Sequence, residues 1–213
     1  VDQWDWEKII SSAQRTSEYL KSTVQSIVNC LSDTLCAVRG DYPEISFEME
    51  KQVSFITSQQ LEDMFPNETP EMREYLYVKE HPTAFVSNIG ENLKSGKPHG
   101  NRAPDYDDWG LNGDILFYYP LLDCCLEVSS MGIRVDPKTL DNQLRASGCE
   151  GRLQLTYHKM LLDGKLPLTI GGGIGQSRIC MMLLEKAHIG EVQSSLWNAE
   201  DIQTCAENGI TLL

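Results

Sequence analysis

The sequence predicts an α+β fold in which an antiparallel sheet is flanked by helices. Two strand-like runs, 115–119 and 125–128, are joined near Pro120 by a connection so short that antiparallel pairing is its natural outcome. Helical patterns are gathered mostly elsewhere and do not alternate regularly with strands. The chain has 213 residues, 41% of them hydrophobic and 23% charged, which is enough for one sizeable core. We therefore expect a single domain over 1–213 rather than a doubly wound sheet.

Hydrophobic periodicity and capping residues place the elements in chain order. Strands are expected where apolar residues alternate or form short runs: 1–7, 53–57, 84–86, 115–119, 125–128 and 168–170. Helices are expected where apolar residues recur at steps of three and four: 17–39, a short one capped by Ser58, one opened by Thr69, one opened by Asp136, one around 153–162 and one over 175–184. Gly40 is expected to end the first helix, and 95–110 is expected to form a loop.

The charge balance argues against a nucleic acid as the main partner. The 18 Lys and Arg residues face 31 Asp and Glu, a formal net charge of −13, and no basic stripe is visible. We see no signal peptide and no apolar run of membrane-spanning length. The seven cysteines lack metal-site spacing and are expected to be small buried residues in a reducing compartment. The expected protein is soluble and cytoplasmic, without a membrane partner.

A glycine-rich run, Gly171 to Gly173 with Gly175, is the most informative motif. Apolar residues before it predict a strand and those after it a helix, which makes the glycines a tight turn. Such a turn brings bare N–H groups and a helix N-terminus close to an anion. Arg178 follows in the first helical turn, where a guanidinium can stack on a flat ring or pair with phosphate. A simple packing turn is the open alternative, and a P-loop is excluded because no Gly-Lys-Ser/Thr follows.

Two carboxylates in the predicted hairpin form a candidate metal site. Asp114 enters one strand, and Glu127 lies between Leu126 and Val128 on the next. A lone Glu in an apolar strand is costly to bury unless it is paired or binds a cation. Across a hairpin the two groups could face one Mg²⁺, which favours one or two carboxylates plus phosphate oxygens. The alternative places Glu127 on the solvent face, which period-two alternation also allows.

Two further polar groups stand out. Asp105, Asp107 and Asp108 lie beside aromatic residues and form either an exposed acidic loop or a site for ammonium. Gln3 and Asp5 are two residues apart in the first predicted strand and therefore point to the same face. A Gln and an Asp on a core-side face would require a polar ligand or partner. The histidines support no Ser-His-Asp arrangement, so nucleophilic catalysis has little support.

Taken together, these segments resemble the ammonia-dependent asparagine synthetases, or aspartate–ammonia ligases, from the first residue almost to the last. The resemblance is carried by 1–7, 102–109, 111–116, 126–136 and 170–178, the last reading Ile-Gly-Gly-Gly-Ile-Gly-Gln-Ser-Arg. It implies the catalytic core of class II aminoacyl-tRNA synthetases, usually a homodimer. In that light 1–7 looks like the second strand of the motif-2 hairpin and 170–178 like motif 3.

The resemblance also implies the chemistry and the residues that perform it. ATP would activate the side-chain carboxylate of L-aspartate as an acyl-adenylate with release of pyrophosphate, and ammonia would then give asparagine and AMP. The residues implied for ATP are Asp114, Glu127, Ser129, Arg134 and Arg178, with Asp114 and Glu127 also holding Mg²⁺. Those implied for aspartate are Gln3, Asp5, Asp107, Ser130 and Gly172 or Gly173. Gln3, Asp107 and Arg178 are the implied catalytic residues, and Asp107 is the hypothetical group that orients or deprotonates ammonium.

The sequence departs from the family pattern in two places. The family's N-terminal third, with motif 1 and the first motif-2 strand, has no counterpart here. Relatives also carry several more residues, rich in Ser, Pro and Gly, where Trp109 meets Gly110. We expect both segments to belong to the protein although this sequence lacks them, and a mobile lid to occupy the second.

Two rival functions stay open. A tRNA ligase of the same fold would need an anticodon-binding domain and a basic surface, and neither is seen. A non-catalytic paralogue that binds ATP or an amino acid would not need Asp114, Glu127 and Arg178 together.

Overall fold

The computed structural model describes residues 2–213, so Val1, at which the first predicted strand begins, lies outside the described residues. The strands are β1 (Gln3–Ile10), β2 (Ser54–Thr57), β3 (Thr83–Ser87), β4 (Asp107–Tyr119), β5 (Cys124–Arg134) and β6 (Leu168–Gly175). The α-helices are α1 (Ser17–Asp41), α2 (Ser58–Met64), α3 (Pro70–Glu80), α4 (Pro137–Ala146), α5 (Thr156–Leu162), α6 (Gln176–Leu183) and α7 (Ala199–Glu207).

The six strands form one sheet in the order β1-β6-β5-β4-β3-β2. Four of its five strand pairs are antiparallel, which confirms the predicted α+β class. The exception is β2 and β3, which pair in parallel because α2 and α3 form the crossover between them. The short connection at Pro120 joins β4 and β5 as an antiparallel hairpin, as predicted.

One face of the sheet is covered by α1 and α6, and we call it the helix face. Leu20, Val24 and Val28 of α1 pack in one buried cluster with Met131 and Ile133 of β5 and with Met182 of α6. The opposite face is covered near β3 by a second cluster, to which α2 and α3 contribute. A third cluster joins α4, α5 and the end of β5. The opposite face is thus covered over β2 and β3 and bordered by α4 and α5, and the part over β1, β6, β5 and β4 carries the site.

Most helix boundaries agree with the sequence predictions, and the exceptions have local causes. Thr69 and Asp136 cap α3 and α4 as predicted, each side-chain oxygen accepting a hydrogen bond from a backbone N–H. The cap of α2 is Thr57, not Ser58, because the Thr57 hydroxyl accepts from the Gln60 N–H. Gly40 does not end α1, which continues to Asp41. The helix predicted around 153–162 is divided into a 3₁₀ turn over Glu150–Gln154 and α5.

The glycine-rich run is extended strand, and the prediction of a tight turn there was wrong. β6 continues through all four glycines to Gly175, where α6 begins. The glycines with positive φ lie elsewhere in the described chain, so this run does not need glycine for its backbone angles. Pairing with β1 on one side and β5 on the other holds the run as a strand. Glycine is needed in this run because a Cβ atom at Gly171, Gly172 or Gly173 would collide with neighbouring atoms.

Two predictions drawn from composition have different outcomes. The cysteines are not uniformly buried: Cys30 and Cys36 are exposed on α1, and Cys205 alone is fully buried among the seven. A search of the described helices for one both long and apolar enough to cross a membrane finds none.

Candidate active site

Four strands place a row of polar groups across the sheet opposite the helix face. Asp5 pairs with Gly173, Gly173 with Ser130, and Ser130 with Asp114. Directly paired residues share a face, so three polar side chains stand together with a gap at the glycine. We call this row the site floor. A second row runs parallel to it, formed by Glu7, Gly171, Gly132 and Asn112.

The alternation of β6 decides which glycines open the floor. A Cβ atom on Gly173 would lie 2.9 Å from Gln3 Oε1 and 3.0 Å from Asp5 Oδ1, which puts both predicted side chains beside this gap. Gln3 and Asp5 therefore share a face, as predicted. A Cβ on Gly172 would instead meet Met131 Cβ at 2.5 Å, on the helix face. Of the two glycines predicted to admit a substrate, only Gly173 faces the floor, and Gly172 is a packing glycine.

An irregularity in β5 directs Glu127 to the site floor. Ile115 pairs with Ser129 but the next residue of β4, Leu116, pairs with Glu127, so Val128 is one extra residue. Such a bulge re-aims the side chains that follow it. Val128 and Ser129 are both buried on the helix face, and Glu127 returns to the face of Asp114. The alternative in which Glu127 lies away from Asp114 is therefore not what the structure has.

Ser129, like Gly172, is a predicted site residue that the structure does not bring to the floor. Its side chain is 2% exposed, and it pairs with Ile115 and Ile174 on the helix face. The hydroxyl makes no hydrogen bond there. The physical reason is the bulge, because two consecutive residues of β5 turn inward at that point.

Arg178 lies beside Glu127 at one end of the floor. It is the third residue of α6, as the sequence predicts, and its Nη1 donates to the Glu127 carbonyl oxygen at 2.7 Å. The same nitrogen lies 3.7 Å from Glu127 Oε1, and both side chains are about half exposed. Partial burial raises the pKa of the Glu127 carboxyl, with a further contribution from the nearby Asp114 carboxylate, against the opposing pull of Arg178. The negative charges of Glu127 and Asp114 are thus held close together at this end of the floor.

Arg102 reaches over the floor from the loop before β4. Its Nη2 donates to Asp114 Oδ1 at 2.7 Å, its Nη1 contacts Ser130 Oγ, and its Nε lies 3.9 Å from Asp107 Oδ2. The Arg102 guanidinium therefore lies between the two carboxylates of β4, those of Asp114 and Asp107. Sequence reasoning did not assign it a role, although it begins the 102–109 segment that carries the family resemblance.

The other end of the floor is a buried ion-pair network around Arg134. Arg134 Nη1 donates to Asp107 Oδ1, and its Nη2 donates to Glu7 Oε2 at 2.8 Å. Arg134 and Asp107 are 5% and 1% exposed. Burial raises the pKa of Asp107 in spite of Arg134 and Arg102, which favour its charged form. Glu7 was missed from sequence, although its spacing of two from Asp5 and four from Gln3 places it on the same face.

The acidic cluster is not an exposed loop. Asp107 and Asp108 begin β4 and are buried, which corrects the predicted loop over these residues. Asp108 Oδ2 accepts from Arg15 Nη2 at 2.6 Å. Asp105, in the preceding turn, accepts from Arg152 and contacts His158 Nε2 at 2.9 Å. Each acid thus has its own basic partner, and only Asp107 is joined to the floor.

The predicted residues thus fall into two groups along β5. Glu127, Asp114 and Arg178 form one end, and Arg134 and Asp107 form the other. Glu127 and Arg134 lie seven residues apart along β5, and Arg102 joins the two groups, its Nη2 2.7 Å from Asp114 Oδ1 and its Nε 3.9 Å from Asp107 Oδ2. Gln3, Asp5, Ser130 and Gly173 lie between the two ends, at the row that crosses the sheet. A site of this shape accepts an elongated ligand with anionic groups near either end.

The carboxylate end offers a divalent cation two side chains, Asp114 and Glu127. Among the described residues no group of three or more His, Cys, Asp or Glu side chains is positioned to enclose a metal. Asp114 and Glu127 nevertheless share a face, and the Asp114 charge raises the pKa of Glu127. Mg²⁺ commonly takes only one or two carboxylates and completes its shell with phosphate oxygens and water. In the structure the Arg102 guanidinium supplies positive charge to Asp114.

Comparisons with known proteins agree on one family. The model of the family described as aspartate-ammonia ligase matches residues 1–209. Curated relatives described as aspartate–ammonia ligase include one from Clostridium perfringens, 55% identical over 213 residues, and one from Fusobacterium nucleatum, 53% identical over 213 residues. Each match covers 100% of this chain but 63% and 65% of the respective relative. The chain therefore spans just under two thirds of the length of these relatives.

Solved structures with a similar fold include class II aminoacyl-tRNA synthetases. The asparaginyl-tRNA synthetase of Entamoeba histolytica, in complex with asparaginyl-adenylate, gives a TM-score of 0.61 at 17% identity over 89% of this chain and 45% of that chain. The asparaginyl-tRNA synthetase of Pyrococcus horikoshii, also with asparaginyl-adenylate, gives 0.59 at 16% identity over 87% and 44%. At these identities the likeness establishes the fold alone, the one that the sequence predicts.

Proposed function

The chain belongs to the aspartate–ammonia ligase family, and from that premise we propose that the protein amidates L-aspartate with ammonia at the expense of ATP. The proposed reaction passes through a β-aspartyl-adenylate and releases pyrophosphate, then AMP and L-asparagine. The observation that carries this proposal is the site floor, with a carboxylate and guanidinium group at one end and a buried Arg–Asp pair at the other. An adenylate of a dicarboxylic amino acid has matching features.

We assign the nucleotide to the end with Arg178. The half-exposed guanidinium of Arg178 is suited to stack on adenine, and Asp114 and Glu127 would hold Mg²⁺ against the phosphates. Bound there, Mg²⁺ would neutralise phosphate charge as the leaving group departs. Arg102 is bound to Asp114 in the structure, so metal and arginine would compete for that carboxylate. The helix-face position of the Ser129 hydroxyl removes it from this assignment.

We assign the amino acid to the opposite end. Gln3, Asp5 and Ser130 offer polar atoms around the Gly173 gap, where the α-ammonium and backbone of aspartate would lie. A planar guanidinium suits a substrate carboxylate, and Arg134 lies at the far end of β5 from Glu127, so we assign it to the aspartate rather than to the nucleotide. Asp107 is the group proposed to orient the attacking nitrogen. Its raised pKa also makes it a better proton acceptor than a free carboxylate.

Catalysis on this floor would consist mainly of positioning and charge neutralisation. A carboxylate is a poor electrophile, and adenylation supplies a leaving group that ammonia can displace. Holding two anionic reactants in contact requires fixed positive charge, which Arg178, Arg102 and Arg134 provide along the floor. Binding the nitrogen nucleophile beside Asp107 would make its attack effectively intramolecular.

The direct test measures AMP release from ATP, L-aspartate and ammonium by the full-length protein, with and without tRNA. The proposal requires AMP and asparagine in equal amounts without tRNA. AMP formed only when tRNA is present would indicate a tRNA ligase of the same fold. No AMP under either condition would indicate a non-catalytic paralogue.

Homodimer formation and a cytoplasmic location belong to the same proposal. Both rest on the family resemblance and remain predictions, as does the additional segment between Trp109 and Gly110. β4 runs without interruption through these two residues, and its pairing with β5 is irregular between Asp107 and Asn112. Size-exclusion chromatography with light scattering would test the dimer.

A further inference from the structure

A largely apolar cavity of about 510 Å³ lies beyond the aspartate end of the floor. It is bounded by β1, β5, β6, α5 and the turn before β4, and its apolar lining includes Leu161, Leu166 and Pro167. Glu7 and Arg134 line it as well, and Arg134 is the residue that holds Asp107. One guanidinium therefore separates this cavity from the group proposed to orient ammonia.

A buried histidine–carboxylate pair lines the same cavity. His158 is 5% exposed, and its Nε2 lies 2.9 Å from Asp105 Oδ2. Its other ring nitrogen, Nδ1, is buried and has no hydrogen-bond partner. Burial works to raise the pKa of Asp105, but bonds from His158 and Arg152 outweigh it and lower that pKa, so Asp105 stays charged. With Nε2–H donating to Asp105, Nδ1 carries a free lone pair.

The cavity, rather than the free nitrogen alone, makes His158 unusual. His99 has the same arrangement elsewhere, with Nε2 2.8 Å from Glu74 Oε1, 5% exposure and a partnerless Nδ1. His99 does not line the cavity. The two histidines therefore form a natural pair for experiment, alike in burial and bonding and different in what they face.

We propose that this cavity admits ammonium to the active site and that His158, oriented by Asp105, removes its proton. The inference rests on the proposed function and deepens it. Ammonium has no free electron pair and cannot attack the acyl-adenylate. Transfer of one proton from NH₄⁺ to His158 Nδ1 leaves neutral NH₃ and an imidazolium paired with the Asp105 carboxylate. The imidazolium returns the proton to water in each turnover.

The apolar walls of the cavity, more than its charges, suit the release of a neutral molecule. The groups that face His158 are Asp105 and Arg152 from outside α5, Glu7, Arg134 and Tyr106 across the cavity, and Tyr157 beside it on α5. Glu7 and Asp105 are already paired with Arg134 and Arg152, which offset their attraction for a cation, whereas the apolar walls favour the neutral molecule that leaves the cavity. Asp107 then orients the neutral nitrogen and accepts the proton that it loses once the C–N bond has formed.

The test compares His158→Gln with His99→Gln in the full-length protein. Gln at 158 keeps a donor for Asp105 but accepts no proton at neutral pH. At about pH 7 we expect the KM for total ammonium to rise roughly tenfold or more in His158→Gln and to stay unchanged in His99→Gln. At about pH 9, where free ammonia is far more abundant, the two variants and the wild type should converge. Pyrophosphate exchange, which needs no ammonia, should be unchanged throughout.

A second variant tests the cavity without touching the histidine. Leu166→Trp fills part of it and should raise the KM for ammonium at both pH values while the KM for aspartate and ATP stays constant. Leu184→Trp, beside a surface pocket lined by Tyr42 and Ile45, is the size-matched control. An unchanged ammonium KM in His158→Gln at about pH 7, or an equal defect at both pH values, would overturn the inference. Failure of the wild type to form asparagine would overturn the proposed function itself, which is a different result.

Discussion

Replacing Gly171 by alanine is the sharpest test of the glycine floor. A Cβ at this position would lie 2.6 Å from the backbone oxygen of Trp6 and 2.6 Å from Arg134 Nη2, and closer still to a carboxylate oxygen of Glu7. The Trp6 oxygen is part of β1, which pairs with β6 along its whole length, so it cannot move alone. Inserting a methyl group against fixed backbone costs about 1–3 kcal/mol.

The side-chain contribution is smaller. Glu7 is 45% exposed and can rotate towards solvent, which forfeits an ion pair worth about 0–1 kcal/mol. Arg134 keeps Asp107 as a partner. We therefore expect Gly171→Ala to lower the free energy of unfolding by about 2–3 kcal/mol, mostly through the backbone contact. Glu7→Ala in the same background should recover little of this loss.

Urea unfolding followed by tryptophan fluorescence measures these differences in the free energy of unfolding. The comparison requires that the variants share one m-value, the slope of that free energy against urea concentration. Gly40→Ala is the control, because no atom lies within 4 Å of a Cβ added there and the residue is helical. That change should stabilise the protein by about 0.5–1 kcal/mol. A Gly171→Ala loss below about 0.5 kcal/mol would refute the claim that β6 uses glycine for space.

Three further predictions concern the floor itself. Asp107→Asn should lower ammonia-dependent turnover by roughly a hundredfold while pyrophosphate exchange persists, and a variant with full turnover would exclude the proposed role. Arg178→Lys should raise the KM for ATP by roughly tenfold and leave that for aspartate unchanged, since Lys cannot stack as a planar group. Glu127→Gln should gain thermal stability relative to the wild type as pH rises. The folded state raises the pKa of this carboxyl, so the stability that the protonated form contributes is lost as pH increases through that pKa. Melting curves from about pH 4 to pH 8 test the trend, and a constant difference would contradict it.

Local patterns predicted most of the fold because local physics decides it. The period of apolar residues located α1, and side-chain caps located α3 and α4. The strand through the glycine run was not predicted, because glycine weakens an isolated strand. Only pairing with β1 and β5 on both sides holds it extended, and pairing partners are not visible in the segment itself.

The sequence predicted most residues of the site but not which of them contact one another. Glu127, Asp114 and Arg178 do meet at one end of the floor, whereas Ser129 turns to the helix face. Asp107 and Asp108 looked like loop residues because their partners, Arg134 and Arg15, are distant in sequence. A charged residue is read as exposed until its buried counter-ion is known.

Val128 shifts the alternation of side chains along β5 by one residue. This alternation decides which side chains face the ligand and which face the helices. Because Val128 is the extra residue, deleting it would leave Glu127 opposite Leu116 and Ser129 opposite Ile115, and the acid would stay on the ligand side. Deleting Glu127 instead would put Val128 opposite Leu116 and remove the acid from the ligand side. Substitution at the same positions leaves the alternation intact. A one-residue deletion in this hairpin is therefore expected to preserve the ligand side when it removes Val128 and to change it when it removes Glu127.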